Sequence, residues 1–484
     1  MIICGKYGVF FVQSISNLKW FIPLNDITPK NTIIERINME SLKKSILEKI
    51  KPTEKEREHL TKVADELMYK IDCLTFKVGL VGVKTQLVGS AARGTWISGT
   101  HDLDIFITFP DDTSREDLES YGLSVGRQVA KEAEYWDEHY AEHPYVKMRY
   151  KGFDVDLVPC YRVSSASSII SAVDRTPFHN EFIKANLNGL EDDVLLLKQF
   201  MRGTGVYGSE LKTEGFSGYL TELLVINYGS FEKVLEAASN WRPGLLLDIL
   251  EHGTLKFDDP LVVIDPTDPK RNVAAALSLD KFCTFVDVAR SFLGIPDESM
   301  FFSSLIPPIS DIEIVERLEK KGSSLLAIVF KTPDVVDDIF YPQFAKMENS
   351  VVPMLDKNEF TVLKAGKWSG EDSVVMLELM SGTLPNVKMH RGPPVWVRDH
   401  AEKFRDKYVD NEDAYSFTIK DGFYVAEIPR KHVSAVELLE KELANCSLGK
   451  HISKSVKAGF DILEGKQVLE LKEDGFRSFL NGWL

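Results

Sequence analysis

An α+β chain of several domains is what this sequence predicts, and three observations carry the prediction. Short runs in which apolar residues alternate with acids, DLDIF from Asp102 and FDVDLV from Phe153, read as strands of a small mixed sheet. The stretch from Asp174 to about Phe292 sets its apolar residues at helical spacing. From Ile314 the text returns to short strands alternating with helices. At about 150 residues per domain, 484 residues predict roughly three domains.

The elements follow in order. Tyr7 to Val12 is apolar but broken by Gln13 and Ser14, too short for the core of a signal peptide. The first 38 residues are expected to be a loosely packed extension, such as an extra strand, with no part in catalysis. Leu42, Ile46, Leu47 and Ile50 predict one helix, and Val63, Leu67 and Ile71 a second. Pro52-Thr53 separates them, Thr53 being an N-cap with Glu56 three residues on. Lys84 to Val88 is a strand running into a tight turn at Gly89-Ser90, and Arg115 to Tyr140 a helix. Val146–Tyr150 and Phe153–Val158 form a hairpin about Lys151-Gly152.

In the middle stretch, Glu191 to Arg202 is a helix closed by Gly203, followed by helices at Phe216–Tyr228, Phe231–Ala238 and Leu279–Leu293. Asp258 to Lys270, with three prolines and many acids, is expected to be irregular. Later come strands at Leu325–Phe330, Phe360–Ala365 and Ser373–Met380, and helices at Val335–Glu348, Val397–Tyr408 and Val433–Ala444. Ala414–Ile419 and Phe423–Ile428 make a hairpin about Lys420-Asp421-Gly422.

Composition narrows the class. Apolar residues make up 44%, and no apolar run is long enough to span a bilayer. Five scattered cysteines without a C-x-x-C pair argue against a disulfide framework or zinc site and fit a reducing cytosol. A net charge of −15 disfavours nucleic acid as a partner unless a basic face is hidden locally. Two candidates for such a face exist: Lys388, His390, Arg391, Arg398, Lys403, Arg405 and Lys407, and then Arg430, Lys431, Lys441, Lys450, Lys454 and Lys457. Solvated helix faces are the plain alternative for both. The phosphate-binding loop GxxxxGK[ST], the GxGxxG turn and HExxH are all missing.

The chemistry concentrates in GSAARGTWISGTHDLD, residues 89–104. On a strand, residues i and i+2 share a face, so Asp102 and Asp104 converge. Asp154 and Asp156 do the same on the later strand. If the two strands are neighbours, three or four carboxylates form one cluster. Ionised carboxylates that close repel unless a cation lies between them, and hard oxygen donors suit Mg²⁺. Two ions roughly 3.5–4 Å apart would activate an attacking hydroxyl and stabilise a leaving pyrophosphate.

The combination GSxxRGT, DxD and a later D-(apolar)-V-P-C resembles the nucleotidyltransferase superfamily. Further blocks are similar to its archaeal (class I) CCA-adding, tRNA nucleotidyltransferase branch. They are RTPFH from Arg175, LLLKQF from Leu195, GTGVYG from Gly203, GFSGYL from Gly215, DPKRNVAA from Asp268 and HRGPP from His390. The likeness runs over about residues 40–484.

That resemblance implies a catalytic head at 39–173, a helical nucleotide-binding neck at 174–293, and a tRNA-binding α/β body and tail at 294–484, the tail near 365–430. It implies template-independent addition of CCA to tRNA from CTP and ATP, with Asp102, Asp104 and Asp156 as catalytic ligands of two Mg²⁺. Asp156 is preferred to Asp154 because the family's third acid precedes the apolar-Val-Pro-Cys run. Ser90 and Arg93 match the family's grip on the triphosphate. Thr176, His179, Lys198 and Tyr207 fall where it places further phosphate and sugar contacts. Arg271 matches the arginine that reads the incoming base. Without the resemblance, Lys198 could be a helix-surface lysine, His179 a loop histidine and Tyr207 a packing residue. The family's first acid is often Glu, and Asp102 is one methylene shorter. The family also implies a cytoplasmic enzyme that often forms a homodimer. The rival readings are a poly(A)-type terminal transferase and an RNA-binding protein whose catalytic domain is dead.

Overall fold

The computed structural model describes residues 29–484 apart from 141 and 303–305, and not the side chains of residues 29–38 and 167. Helix α1 (Pro29–Ile50) begins within the stretch expected to be a loose extension, so the last part of that stretch is helical. The apolar run at Tyr7 and the rest of the extension lie outside the described residues. Helix α2 (Glu54–Lys77) starts as expected, with a reciprocal capping box between Thr53 and Glu56.

A five-stranded sheet follows in the order β1 (Lys84–Val88), β2 (Asp102–Pro110), β5 (Phe153–Arg162), β4 (Pro144–Tyr150), β3 (Tyr135–Tyr140). Only β2 and β5 run parallel within it. The Gly89 turn is a five-residue helix, α3 (Gly89–Arg93), closed by Gly94 in the left-handed region. The helix expected at Arg115–Tyr140 ends as α4 (Arg115–Ala130), and β3 follows. Tyr135, Trp136 and Tyr140 on that edge strand are exposed aromatics, which favour a pleated edge over a helix.

Alternation along the two central strands divides the sheet's faces. Leu103, Ile105, Ile107 and Phe109 pack with Val155, Leu157 and Tyr161 into one core, with α2 residues such as Leu67 and α4 residues such as Val125. Each such side chain is worth roughly 1.5–3 kcal/mol when fully buried. The even-numbered residues therefore face the other way, where Phe106 and Cys160 meet Val88. A one-residue slip would reverse every one of them, so this core fixes where the acids point.

The middle of the chain is a helical core formed by α5 (Thr176–Asn186), α6 (Glu191–Gly203), α7 (Gly218–Tyr228), α8 (Phe231–Ala238) and α9 (Leu279–Gly294). Phe200, Phe231, Phe285, Phe292 and Phe301 are buried in it. Two expectations are corrected here. Gly203 is the last residue of α6 instead of its stop, and Gly205 takes the left-handed conformation. The stretch from Asp258 to Lys270 is not irregular. It holds β7 (Leu261–Asp265) and the start of β8 (Asp268–Asn272), with β6 (Leu245–Leu247) alongside. Its prolines flank the fully buried LVVID run and do not break it.

Beyond α10 (Asp311–Lys321), a second sheet has the order β10 (Val362–Ser369), β11 (Asp372–Leu379), β9 (Ser324–Lys331), β15 (Phe460–Glu464). One face packs on α11 (Asp337–Lys357), α13 (Ala435–Glu442) and α14 (Lys450–Ala458). The other packs on α10 and α15 (Asp474–Trp483). Helix α11 runs past the expected end at Glu348, through Pro353. A third sheet, β12 (Val387–Pro394), β14 (Phe423–Pro429), β13 (Ser416–Lys420), carries α12 (Arg398–Tyr408). Strands β12 and β15 were not anticipated, since His390-Arg391 and Asp461 interrupt their apolar pattern.

Candidate active site

Strands β2 and β5 pair in register, Asp102 opposite Asp154 and Asp104 opposite Asp156. All four acids therefore share the face away from the α2/α4 core. Their surroundings separate them. Asp154 is bound by Arg149 at 2.7 Å and is half-exposed. Asp156 keeps Oδ1 buried with no hydrogen-bond partner. Burial raises its carboxyl above the ordinary value, with Asp102 and Asp154 adding to the rise and Lys147 and His139 opposing it. Burial, then Asp156 and Asp102, push Asp104 up to about 6, against the pull of Arg93 and Lys147.

Gly89 closes this corner. Its φ is +74°, and a Cβ there would lie 2.1 Å from Asp104 Oδ2, so only glycine lets the start of α3 meet the acid. Among the described residues no three His, Cys, Asp or Glu side chains are already gathered as a cation site. The donor set nonetheless fits a hard divalent ion: carboxylates only, one oxygen buried and unpartnered.

Five of the other candidates, Arg93, Lys198, Tyr207, His179 and Arg271, fall into two groups, each built round an acid that the sequence reading missed. Arg93 donates from Nε to Glu222 Oε1 at 3.1 Å and pairs through Nη2 with Oε2 at 3.0 Å. Lys198 Nζ lies 3.5 Å from Glu222 Oε1 and donates to the Thr95 carbonyl at 3.0 Å. Lys198 is thus no surface lysine. Burial lowers its pKa, with Glu222 opposing that and Arg93 and Arg202 adding to it. Tyr207 packs its ring under Arg202, 5.1 Å from ring centre to guanidinium carbon. A Cβ on Gly218 would meet the Tyr207 hydroxyl at 3.0 Å and Lys198 Nζ at 3.8 Å, so this glycine lets the first turn of α7 sit against both.

The second group surrounds Asp265, fully buried at the end of β7. His179, on α5 and not in a loop, contacts Oδ2 through Nε2 at 2.8 Å, and Arg271 Nη1 donates to the same oxygen at 2.8 Å. Thr267 and Tyr219 donate to Oδ1, and Tyr219 also stacks on His179. Burial would raise Asp265, but the His179 and Thr267 hydrogen bonds hold it well below the ordinary carboxylate range. Arg271 also lines a cleft of about 720 Å³ with Arg175, Ser217 and Phe257.

Ser90 lies on α3 one turn from Arg93, and Thr176 begins α5, which packs on α3. Neither is drawn into the two acid-centred groups. A buried acid in an otherwise apolar helix or strand was the available signal for Glu222 and Asp265. Both stand inside runs, TELLV and LVVID, that read as pure core.

Known proteins match this arrangement along most of the chain. Residues 67–179 match the nucleotidyltransferase domain, 192–302 the second domain of tRNA nucleotidyltransferase, and 321–465 the C-terminal domain of CCA-adding enzyme. A CCA-adding enzyme of Methanosarcina mazei is 58% identical over 92% of this chain and 98% of its own length. This chain belongs to the CCA-adding enzymes. The similarity extends to a CCA-adding enzyme of Methanoregula boonei, 43% identical over 88% of this chain and 92% of its own. It also extends to one of Halobacterium salinarum, 41% identical over 95% and 99%. CCA-adding enzymes are tRNA nucleotidyltransferases, so the family brings nucleotide substrates and tRNA as partner. No described helix is long and apolar enough to cross a membrane.

Proposed function

We propose that the chain builds and repairs the 3′-terminal CCA of tRNA without a template, taking CTP and ATP and releasing pyrophosphate. Within the family, one observation carries the chemistry: Asp102, Asp104 and Asp156 converge on one sheet face, with Asp104 and Asp156 pushed towards their neutral forms. Such a site binds divalent cations, and Mg²⁺ is the ion its all-oxygen donors suit. Ions held by Asp102, Asp104 and Asp156 would lower the pKa of the primer hydroxyl and neutralise the leaving pyrophosphate.

The chain's own residues bind and orient. Ser90 and Arg93 take the triphosphate, as Arg geometry favours. Thr176, His179, Lys198 and Tyr207 add phosphate and sugar contacts. Arg271 reads the incoming base beside the cleft it lines. Asp265 holds Arg271 and His179 together, so the base-reading and phosphate-binding ends are fixed relative to each other.

Residues 39–173, 174–293 and 294–484 then serve as head, neck and tRNA-binding body, with the tail near 365–430. The basic cluster on β12 and α12 supports that division. Lys388 and Lys407 sit near enough to His390 to add to the lowering that burial gives it. Half of the second cluster is spent locally, Arg430 on Glu359, Lys431 on Glu442 and Lys441 on Glu437. A cytoplasmic homodimer completes this reading.

The test supplies Mg²⁺ and a tRNA lacking its last three nucleotides, with CTP, ATP or both, and sequences the products. Two C with CTP alone, and a single A only after them, are expected. A ladder of A on any RNA would instead mark a poly(A)-type transferase. No addition with tRNA binding retained would mark a dead homologue.

A further inference from the structure

Glu222 is met from two sides by residues of different regions. Arg93 and Thr95 come from the head segment, and Lys198 from α6 of the helical core. Glu222, Lys198 and Thr95 are buried, and the Arg93 side chain is 8% exposed. Thr95 Oγ1 bridges the group, donating to Glu222 Oε1 at 2.5 Å while lying 3.3 Å from Lys198 Nζ. Arg93 also donates to Asn180 Oδ1 on α5 at 3.4 Å.

The charges inside this enclosure do not balance. Two cations face one carboxylate. A buried surplus charge is costly, and an entering anion relieves it. Glu222 therefore offsets part of the repulsion between Arg93 and Lys198 without neutralising both, and burial lowers the Lys198 pKa in spite of it.

We infer that Glu222 is a positioning residue for the incoming nucleotide, holding Arg93 and Lys198 side by side across the head–neck boundary so that a triphosphate completes the charge balance. The inference rests on the reading of Arg93 and Lys198 as triphosphate contacts. A second consequence concerns protonation. The groups facing Lys198 are Glu222 on α7, Arg93 on α3, Arg202 on its own helix, and the Tyr207 hydroxyl beside Gly218. Glu222 is the one acid among them and the group that favours the charged ammonium.

The experiment measures kcat and KM for CTP and ATP on tRNA substrates lacking CCA or only the terminal A. Glu222→Gln keeps shape and removes charge. KM for both nucleotides should rise roughly tenfold with kcat changed less than about threefold. The deficit in kcat/KM should widen as pH rises, because Lys198 loses its proton sooner without the carboxylate. Glu222→Asp keeps the charge one methylene further back, and should raise KM while preserving the native pH profile.

If Glu222→Gln lowers the melting temperature but leaves KM and the pH profile unchanged, Glu222 is a structural staple and the inference is overturned. Should that variant not fold, an unchanged KM in Glu222→Asp overturns it equally. Lys198→Ala and Arg93→Ala run beside them. If these two raise KM while the Glu222 variants do not, only the inference fails. If they leave KM unchanged, the triphosphate reading fails with it.

Discussion

Two sets of acids lie in this molecule, and they are treated in opposite ways. On the head sheet, Asp104 and Asp156 sit side by side with no cationic side chain among the described residues bound to either carboxylate, and burial and neighbouring carboxylates raise both. In the helical core, Asp265 and Glu222 are more deeply enclosed, yet hydrogen bonds and cations hold both below the ordinary value despite burial. The difference teaches that burial alone does not set a carboxylate's role. An acid surrounded by other acids waits for a cation that is not part of the chain. An acid surrounded by Arg, Lys and His arranges those side chains for something else.

Breaking the first set should have the largest effect. Asp104→Asn should reduce kcat at least about a thousandfold, while tRNA binding is retained. The same substitution should stabilise the metal-free protein. The folded pKa of Asp104 is raised to about 6, so its contribution is favourable at low pH and is lost as pH rises through that value. Removing the ionisable group lifts this penalty, about 3 kcal/mol at neutral pH. Thermal melts with and without Mg²⁺ read both parts: the ion should raise the native melting temperature and not that of the variant. Near-normal turnover would end the comparison. Gly89→Ala attacks the same corner without touching an acid. Its Cβ would overlap Asp104 Oδ2 at a φ of +74°. A displacement of that kind should cost on the order of a hundredfold in kcat and about 1–3 kcal/mol of stability.

How far the two sets were legible in the sequence follows from the same physics. The strand acids were readable because period-2 alternation in DLDIF and FDVDLV states which residues share a face. What alternation cannot state is which strands are neighbours. The parallel pairing of β2 with β5 needs the long excursion through α4, β3 and β4, and the edge strand β3 was itself read as helix. Ser90, Arg93, Thr176, His179, Lys198, Tyr207 and Arg271 came from resemblance, with no local pattern of their own. Glu222 and Asp265 escaped because the apolar runs around them, TELLV and LVVID, read as core with no sign of chemistry. Only the tertiary arrangement of Arg93, Lys198, His179 and Arg271 reveals otherwise. The LVVID strand was hidden for a related reason: prolines at 260, 266 and 269 signal a loop, whereas the first two bracket the run and Pro269 lies in β8 between the paired Asp268 and Asn272.

Disturbing the second set should therefore change binding more than chemistry. Asp265→Asn removes the charge shared by His179 and Arg271. KM for CTP and ATP should rise about tenfold, and base selection should weaken because Arg271 loses its anchor. Stability should fall by about 1–3 kcal/mol. The sign with pH is fixed by the depressed pKa of Asp265. Its stabilisation is present above the ordinary value of 3.8 and is lost as pH falls further. Acid melts of the native protein should steepen in that window, and those of the variant should not. Equal acid sensitivity would show that Asp265 carries no special charge balance.

The smallest effect sharpens the comparison most, because it falls on an acid that shares the catalytic face yet resembles the second set. Asp154 stands opposite Asp102 in register, but Arg149 holds it at 2.7 Å and it is half-exposed. Its charge is already met, and an exposed pair of this kind is worth under about 1 kcal/mol. Asp154→Asn should accordingly change kcat less than about fivefold, whereas Asp156→Asn should be as damaging as Asp104→Asn. Measuring both in one assay tests whether unmet charge, and not position on the sheet, marks the catalytic acids. If the two variants exchange places, Arg149 is an active-site residue held by Asp154, and the third ligand must be reassigned.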